Sequence, residues 1–337
     1  MCPSEIALRR FMPALQKIKE IEFVGVGVCS IEERFGSNLP DKEIVDTIIK
    51  TEYDKAKVFV EQFGGRIFEG YRTIVESHEI DAIYIPLPPA LHYRWAKLAL
   101  ENGKHVLVEK PSTVSETETK DLTNIASKKN LALHENYMFA FHRQLNDIKK
   151  IIDSGEIGDL RLYRLSFGFP LREESDFRYN RNLGGGALID AGGYTIKYAG
   201  ILLGSTARIK YAQMNYTDRF EVDLYGSAAL VNNNGVTAQI AFGMDNNYKC
   251  ELEAWGSKGC LSTGRVLTAP AGYLPQVTIR KGNVDEVREL YADDAFEKSI
   301  LHFLKCVIDI KTREDNYKEL IKQAELVEKF RFLAEER

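Results

Sequence analysis

The feature that most constrains the fold is an alternation of short apolar runs with helical patterns along the first 140 residues. The apolar runs are rich in β-branched residues and nearly uncharged, as strands buried in a parallel sheet are. They predict strands at residues 21–28, 81–85, 105–108 and 131–135. Helical periodicity predicts helices at residues 6–16, 41–63, 90–101 and 117–128. Strands alternating with such helices form right-handed βαβ crossovers, so this half of the chain predicts a parallel α/β sheet.

The pattern changes after residue 158. Residues 159–169 alternate polar and apolar side chains, and residues 187–203 form one hydrophobic helix. Strand candidates separated by turn residues follow at 209–216, 222–231, 236–242, 248–255, 260–263, 276–280 and 287–291, before closing helices at 296–310 and 317–335. We therefore predict two domains: residues 1–140 with the parallel sheet, and residues 141–337 with an α+β fold around a large, mainly antiparallel sheet.

Charge and cysteine content narrow the class of protein. Lys and Arg number 45 and Asp and Glu 49, a formal net charge of −4, and no basic run of the nucleic-acid type occurs. The apolar stretch at residues 23–31 is far shorter than the ~20 residues that span a bilayer, and no signal peptide precedes it. The five scattered cysteines include no C-x-x-C pair. We expect a cytoplasmic protein without a nucleic-acid partner, a membrane segment or a metal site.

Charged residues end one of the predicted strands. Open parallel sheets bind ligands beyond the carboxyl ends of their strands, and Glu109 and Lys110 stand at such an end. Two charges there are costly unless they are paired or face a ligand. A ligand site and a simple capping ion pair are equally compatible with this pattern.

A second cluster lies at the start of the hydrophobic helix. Three glycines, 184–186, precede Asp190 and Tyr194, which are four residues apart and therefore share one helix face. A carboxylate in so apolar a segment indicates a function, and the glycines allow close approach of backbone or ligand. The alternative is a tight helix start with Tyr194 as a core aromatic residue.

Several segments resemble a known family in their order along the chain. They are DAIYIPLPPALH at 81–92, GKHVLVEKP at 103–111, ENYMF at 135–139, GEIG at 155–158 and GGGALIDAGGY at 184–194. Together they resemble the Gfo/Idh/MocA oxidoreductases, over essentially the whole chain from Ser4 onward. Residues 234–244, 255–259 and 265–270 are most similar to the branch that contains the NDP-hexose 3-ketoreductases of deoxysugar pathways.

The resemblance implies a Rossmann-type first domain and assigns roles to individual residues. Catalysis falls to Lys110 and Tyr194, with Tyr194 as the proton donor to the alkoxide that hydride transfer leaves. The implied substrate-binding residues are Asp190, Arg178 and Tyr179, although a surface strut is the alternative for Arg178. The implied cofactor-binding residues are Ser4, Ile6, Ser30, Leu87, His92, Glu109, Lys110 and Asn136.

The sequence departs from the family pattern at its start. The family begins with a strand and a glycine-rich turn, whereas Met1 aligns with the end of that turn and no G-x-G-x-x-G is nearby. We therefore expect a sheet without its first, central strand, from either a truncated gene product or a start further upstream. At the end of the 21–28 strand, Ser30 replaces the acidic residue that selects NAD, which favours NADP(H) over NAD(H).

Three functions follow from these observations. The first is an NAD(P)-dependent reductase of a keto group, at C-3, of a nucleotide-linked hexose. The second is an aldose or dihydrodiol dehydrogenase of the same family, and the third is a non-catalytic relative that binds a sugar or a partner. Because an apolar sheet face marks an interface, we also expect a homodimer or homotetramer packed through the C-terminal sheet.

Overall fold

The computed structural model describes residues 1–36 and 40–336, and its chain divides into two compact units. The first unit comprises Met1–Ser112, Lys120–Asn136 and Ile300–Tyr317. The second comprises Thr113–Thr119, Tyr137–Ser299 and Lys318–Arg337. The domain boundary at residue 140 stays a prediction; the structure adds that residues 300–317, which the sequence assigned to the second domain, group with the first unit.

The secondary structure follows the predicted order. The strands of the first half are β1 (Gly25–Val28), β2 (Arg66–Glu69), β3 (Ala82–Ile85), β4 (His105–Glu109) and β5 (Leu133–Asn136). The helices are α1 (Met12–Leu15), which continues a π-helical turn at Ala7–Phe11, α2 (Ile31–Phe35), α3 (Lys42–Phe63), α4 (Tyr71–Glu76), α5 (Pro89–Glu101), α6 (Glu116–Lys128), α7 (Arg143–Asp153), α8 (Gly193–Leu203), α9 (Ala295–Ile308) and α10 (Ile310–Glu335). The predicted strand at 21–28 is shorter than expected, and β2, α2, α4 and α7 were not predicted.

The described strands of the first unit form two parallel sheets. One pairs β1 with β2, and the other has the order β3-β4-β5. Helix α5 packs on β3 and β4, and α3 packs on β1 and β2. Within each sheet neighbouring strands pair in parallel, and helices make the crossovers that parallel pairing requires.

Met1 lies between the two parallel sheets of the first unit. Its ammonium group donates a hydrogen bond to the carbonyl of Tyr84 in β3 over 2.6 Å. Its carbonyl accepts a hydrogen bond from the amide of Gly27 in β1 over 2.7 Å. One residue therefore makes backbone bonds to both sheets, where the family pattern predicts a whole strand.

The second unit is built on one mixed sheet. Its strands are β6 (Leu160–Gly168), β7 (Arg208–Thr217), β8 (Phe220–Val231), β9 (Thr237–Gly243), β10 (Lys249–Gly256), β11 (Cys260–Gly264), β12 (Gln276–Lys281) and β13 (Val284–Glu289), in the order β13-β12-β11-β10-β6-β9-β8-β7. Only the β6–β9 pairing in this sheet is parallel; the other pairings are antiparallel. The predicted fold class, a Rossmann-type unit followed by an α+β unit with a mainly antiparallel sheet, is confirmed.

The predicted hydrophobic helix lies on this sheet. A π-helical turn at Leu188–Gly192 leads directly into α8, which packs on β6 and β9. Gly192 lies so close to the ring of Phe242 in β9 that a Cβ would contact it within 3 Å. The helix start is therefore fixed tightly against the sheet, and with it the side chains of Asp190 and Tyr194.

Two further properties concern the described residues as a set. None of their helices combines the length and the apolarity that a bilayer crossing requires. Within the same residues, His, Cys, Asp and Glu side chains do not gather in groups of three that could hold a metal ion.

Candidate active site

The carboxyl ends of three neighbouring strands meet at Glu109. This residue ends β4, and its Oε1 accepts hydrogen bonds from Tyr84 Oη in β3 over 2.6 Å and from Asn136 Nδ2 in β5 over 2.7 Å. Burial raises the pKa of Glu109, while the two donors and the neighbouring ammonium of Lys110 oppose that shift. Glu109 therefore joins the three strand ends by side-chain hydrogen bonds.

Lys110 follows Glu109 immediately and is half-buried. The turn after it is fixed by Glu135, whose Oε1 accepts the backbone amide of Ser112 over 2.7 Å. Glu135 itself belongs to β5 and is buried. The hydrogen bonds of Glu109 and Glu135 thus fix the chain on both sides of Lys110.

His92, a predicted cofactor-binding residue, lies between the loops that follow β3 and β4. Its ring is fully buried on α5, with Nδ1 2.7 Å from the carbonyl oxygen of Pro111 and Nε2 2.7 Å from that of Leu87. Burial lowers the pKa of His92 to about 4, although both carbonyls oppose the shift. The ring thus connects the loops after β3 and β4, and the cofactor-binding role of His92 stays a prediction.

Ser30 begins α2 at the carboxyl end of β1. Its hydroxyl accepts the amide of Glu33 over 3.2 Å, and the Glu33 carboxylate accepts the amide of Ser30 over 3.0 Å, a reciprocal cap. The same carboxylate accepts the amides of Tyr71 and Arg72, each over 2.8 Å. Glu33 is therefore committed to backbone donors, while Arg34 on the same short helix pairs with Glu52.

Ser4, Ile6 and Leu87 are the remaining predicted cofactor-binding residues of the first unit. Ser4 caps the first helical turn by accepting the amide of Ala7 over 3.2 Å. Ile6 is exposed, and Leu87 is buried with its carbonyl against His92. None of these contacts tests a cofactor-binding role.

In the second unit, Tyr194 stands in the first turn of α8 among three aromatic rings. Its ring centroid lies 5.2 Å from that of Tyr137, 5.7 Å from that of Phe139 and 5.3 Å from that of Phe167. Edge-on geometries such as the 89° angle with Tyr137 are favourable for aromatic pairs. Tyr194 is half-buried, so packing fixes its ring and leaves part of the side chain accessible.

Asp190 is paired with the predicted substrate residue Arg178. Arg178 Nε donates to Asp190 Oδ2 over 2.7 Å, and its Nη1 lies 3.1 Å from Asp176 Oδ1. Both side chains are largely buried, so solvent screens the attraction between them less than it would in an exposed ion pair. The structure thus brings Asp190 and Arg178 together, and the substrate-binding role of both residues stays a prediction.

The glycines before the helix make that arrangement possible. A Cβ at Gly185 would overlap the carbonyl oxygen of Arg178, and one at Gly186 would overlap Asp223 Oδ1. Gly186 also has φ +121°, a conformation that side chains rarely adopt. Asp223 in β8 is buried and accepts the amide of Leu188 over 2.6 Å, so it caps the helix that carries Asp190.

Tyr179, the third predicted substrate residue, is a buried aromatic side chain. Its ring stacks on Phe220 with 4.4 Å between centroids. Its hydroxyl accepts the amide of Arg172 over 2.9 Å and donates to the carbonyl of Met244 over 3.5 Å. These contacts are those of a core residue, and the substrate role of Tyr179 stays a prediction.

Sequence reasoning missed several residues of both clusters. They are Tyr84 beside Glu109, Asp176 beside Arg178, Asp223 at the helix start, and Tyr137, Phe139 and Phe167 around Tyr194. Two of them, Tyr137 and Phe139, belong to the ENYMF segment. The aromatic residues of that segment were the signal from which a contact with Tyr194 could have been predicted.

Comparisons with known proteins bear on both units. A model described as an oxidoreductase family with an NAD-binding Rossmann fold matches residues 19–137. A model of the GFO/IDH/MocA C-terminal domain matches residues 145–262. The chain belongs to the Gfo/Idh/MocA oxidoreductase family. Membership confirms the predicted class of enzyme, an NAD(P)-dependent oxidoreductase.

Relatives within the Gfo/Idh/MocA family cover nearly the whole chain. A dTDP-3,4-didehydro-2,6-dideoxy-alpha-D-glucose 3-reductase from Actinomadura kijaniata is 39% identical over 85% of this chain and 86% of its own length. One from Streptomyces violaceoruber is 37% identical over 90% of this chain and 83% of its own length.

Solved structures agree with these relatives. A 3-ketoreductase from Actinomadura kijaniata, crystallised with NADP and TDP-benzene, superposes with a TM-score of 0.87 at 36% identity, covering 98% of this chain and 95% of its own. Variants of that 3-ketoreductase with a tyrosine or a lysine replaced have also been crystallised.

Proposed function

We propose that this protein is an NADPH-dependent reductase of the C-3 keto group of a dTDP-linked hexose in deoxysugar biosynthesis. One observation carries the proposal: the lysine and the tyrosine replaced in the Actinomadura kijaniata 3-ketoreductase are separated by as many positions as Lys110 and Tyr194. Both chains cover each other almost completely, so matched spacing over that interval supports matched roles.

Tyr194 and Lys110 divide the proton chemistry. A bound reduced nicotinamide would supply the hydride to the ketone carbon. Tyr194 Oη then donates the proton that the new alkoxide requires, and the Lys110 ammonium stabilises the negative charge on that oxygen. The three rings around Tyr194 hold the phenol in one orientation and leave part of the side chain accessible to a substrate.

The first unit offers the residues that a dinucleotide cofactor would need at the strand ends. Leu87, Lys110 and Asn136 stand at the carboxyl ends of β3, β4 and β5, where open parallel sheets bind such ligands. Asn136 is buried with its amide directed to Glu109, which keeps this edge ordered. These observations fit a nicotinamide cofactor at that edge.

The end of β1 supports a preference for NADP(H). NAD selection needs a carboxylate that accepts the ribose hydroxyls, whereas a cation there favours the 2′-phosphate. Two carboxylates lie at the end of β1 and both are engaged: Glu33 accepts three backbone amides, and Glu52 accepts the amide of Cys29 and pairs with Arg34. We infer that NADPH binds more tightly than NADH.

A free-sugar dehydrogenase is the second candidate. A D-xylose 1-dehydrogenase (NADP(+)) from Haloferax volcanii is 32% identical, but over only 53% of this chain. The 3-reductases match far more of the sequence, which favours the nucleotide-linked substrate.

The test is a substrate panel with purified full-length protein. NADPH oxidation is followed with a dTDP-linked 3-keto-hexose, and NADP⁺ reduction is followed with D-xylose and with a cyclic trans-diol. We expect turnover of the nucleotide-linked ketone alone, and slower turnover when NADH replaces NADPH. Turnover of xylose or the diol without turnover of the dTDP-sugar would replace the proposal by the second candidate.

A further inference from the structure

Arg265 stands directly after β11 in a backbone conformation that is rare outside glycine. Its φ is +49°, in the left-handed region. A side chain costs energy in that region, and such residues cluster at ligand sites when the surrounding structure enforces them. The backbone conformation of Arg265 therefore indicates a ligand-binding role for this residue.

The residues around Arg265 enforce its conformation. The fully buried side-chain amide of Gln144 donates to the carbonyl of Arg265 over 3.4 Å. The next two residues, Val266 and Leu267, are completely buried, and the amide of Leu267 donates to Cys250 Sγ over 3.4 Å. The backbone is thus fixed on both sides, while the side chain of Arg265 itself is exposed.

The guanidinium of Arg265 lies over an aromatic ring. Its central carbon is 5.4 Å from the ring centroid of Tyr248, a cation–π distance. The Tyr248 hydroxyl is held in turn by a 2.9 Å hydrogen bond with Thr268 Oγ1. Among the ion pairs of the described residues, none involves Arg265. An exposed guanidinium that is ordered by an aromatic ring and has no carboxylate partner suits an anionic ligand.

Strand register relates Arg265 to the ring of Tyr194 within the second unit. Phe167 of β6 contacts that ring and pairs with Cys250 of β10. The loop that begins at Arg265 contacts β10 at the same place: the amide of Leu267 donates to Cys250 Sγ, and the guanidinium of Arg265 lies over Tyr248, two residues before Cys250. Because adjacent strands are about 4.8 Å apart, β11 lies roughly 10 Å from β6. The diphosphate of a nucleotide-linked hexose is attached at C-1, two bonds from C-3, so its oxygens extend several ångströms from the reacting carbon, and the long side chain of an arginine on this loop can span the rest of that interval.

We propose that Arg265, supported by Tyr248, binds the diphosphate of the nucleotide-sugar substrate. The inference rests on the proposed function and adds a binding residue to it. Arg178 is the competing arginine for this role, but its guanidinium is already paired with Asp190 and Asp176. Arg265 retains its full donor set for phosphate oxygens.

The test compares ligands with and without the diphosphate. Binding of dTDP and of thymidine is measured by titration calorimetry on the NADPH-saturated protein, for wild type and Arg265→Gly. Glycine keeps the positive φ, so this variant removes the guanidinium without straining the backbone. We expect dTDP affinity to fall about 10- to 100-fold, the range for a charge-assisted hydrogen-bonding residue, while thymidine affinity stays unchanged. Arg66→Ala is the matched control, since Arg66 also lies over an aromatic ring, Phe68, but at the amino end of β2.

The outcomes separate this inference from the proposed function. Equal dTDP affinity in wild type and Arg265→Gly overturns the diphosphate assignment, as does an equal loss for dTDP and thymidine or a loss of NADPH affinity instead. In each of those cases turnover of the dTDP-sugar by the wild type still stands. If the wild type binds no dTDP and turns over only free sugars, the proposed function fails and the role of Arg265 fails with it.

Discussion

At the scale of single residues, the buried ring of His92 carries a measurable pH signature. Its pKa in the folded chain is about 4, against an ordinary value of 6.5. Between these values the unfolded chain binds a proton that the folded chain excludes, so the free energy of unfolding falls as pH drops from 6.5 towards 4.

We predict that His92→Gln reduces this pH dependence. At pH 5 the wild type should have lost about 2 kcal/mol of stability through His92 relative to pH 7, a loss that the variant cannot show. Asp223, whose pKa burial raises to about 6, acts in the opposite direction, but it is common to both proteins and cancels in the comparison. The measurement is urea unfolding at pH 7 and pH 5. Parallel pH dependence in the two proteins would show that His92 titrates as an ordinary histidine.

Single residues of the candidate site were predictable where the pattern itself was anomalous. Lys110 and Glu109 are charges at the end of an apolar strand, and Asp190 is a carboxylate in an apolar helix. Their partners were not predictable in this way. Tyr84 reaches Glu109 from another strand, and Arg178 reaches Asp190 because Gly185 leaves room for the carbonyl oxygen of Arg178.

At the scale of elements, the approach of Gly186 to Asp223 limits what the helix start can tolerate. We predict that Gly186→Ala destabilises the protein by roughly 1–3 kcal/mol, because the methyl group meets a buried carboxylate oxygen and φ is unfavourable for alanine. Gly264→Ala is the control, since that glycine has open space around it and no positive φ. The measurement is thermal unfolding of both variants. Similar melting temperatures for the two would contradict the packing described here.

Elements were predictable in proportion to their apolar content. Strands β3 and β4 carry buried aliphatic residues, Ile83 and Ile85 in β3 and Val106 to Val108 in β4, and were located within one or two residues. Strand β2 has one buried residue, Phe68, and offers no apolar run to detect. Strand β13 is almost wholly exposed; its register is set by pairing with β12 through the turn at Gly282, which is why it begins before the predicted position.

At the scale of the whole molecule, sequence order and spatial grouping differ near the C-terminus. Residues 300–317 belong with the first unit because their side chains bind β5 and the residues just before it. Asn316 Nδ2 donates to the carbonyl of Leu133 over 2.6 Å, and the Tyr317 hydroxyl donates to that of Leu131. Contacts over so long a separation in sequence leave no local periodicity, so a linear domain boundary could not anticipate them.

The homodimer or homotetramer stays a prediction, and it places the interface on the large sheet. Two aromatic side chains on the strands of that sheet, Trp255 and Tyr225, are 51% and 47% exposed and are candidates for burial in such an interface. We predict that the wild type is a dimer or tetramer by light scattering, and that Trp255→Asp lowers its mass because a carboxylate is costly to bury. Ile44→Asp, which places the same change on an exposed position of α3, should keep the wild-type mass. A monomeric wild type would refute the prediction.

The central claim is that Tyr194 donates the proton in ketone reduction, and Tyr194→Phe tests it most directly. Steady-state reduction of a dTDP-linked 3-keto-hexose by NADPH is measured for wild type, for this variant and for Tyr198→Phe. Tyr198 lies one turn further along α8, fully buried against Phe139. We predict that Tyr194→Phe loses about 10²- to 10⁴-fold in turnover with unchanged melting temperature and NADPH affinity, the contribution of a positioned acid. Tyr198→Phe should retain the wild-type rate. If Tyr194→Phe also turned over at a rate comparable to wild type, Tyr194 would be a packing residue and the account of catalysis would be wrong.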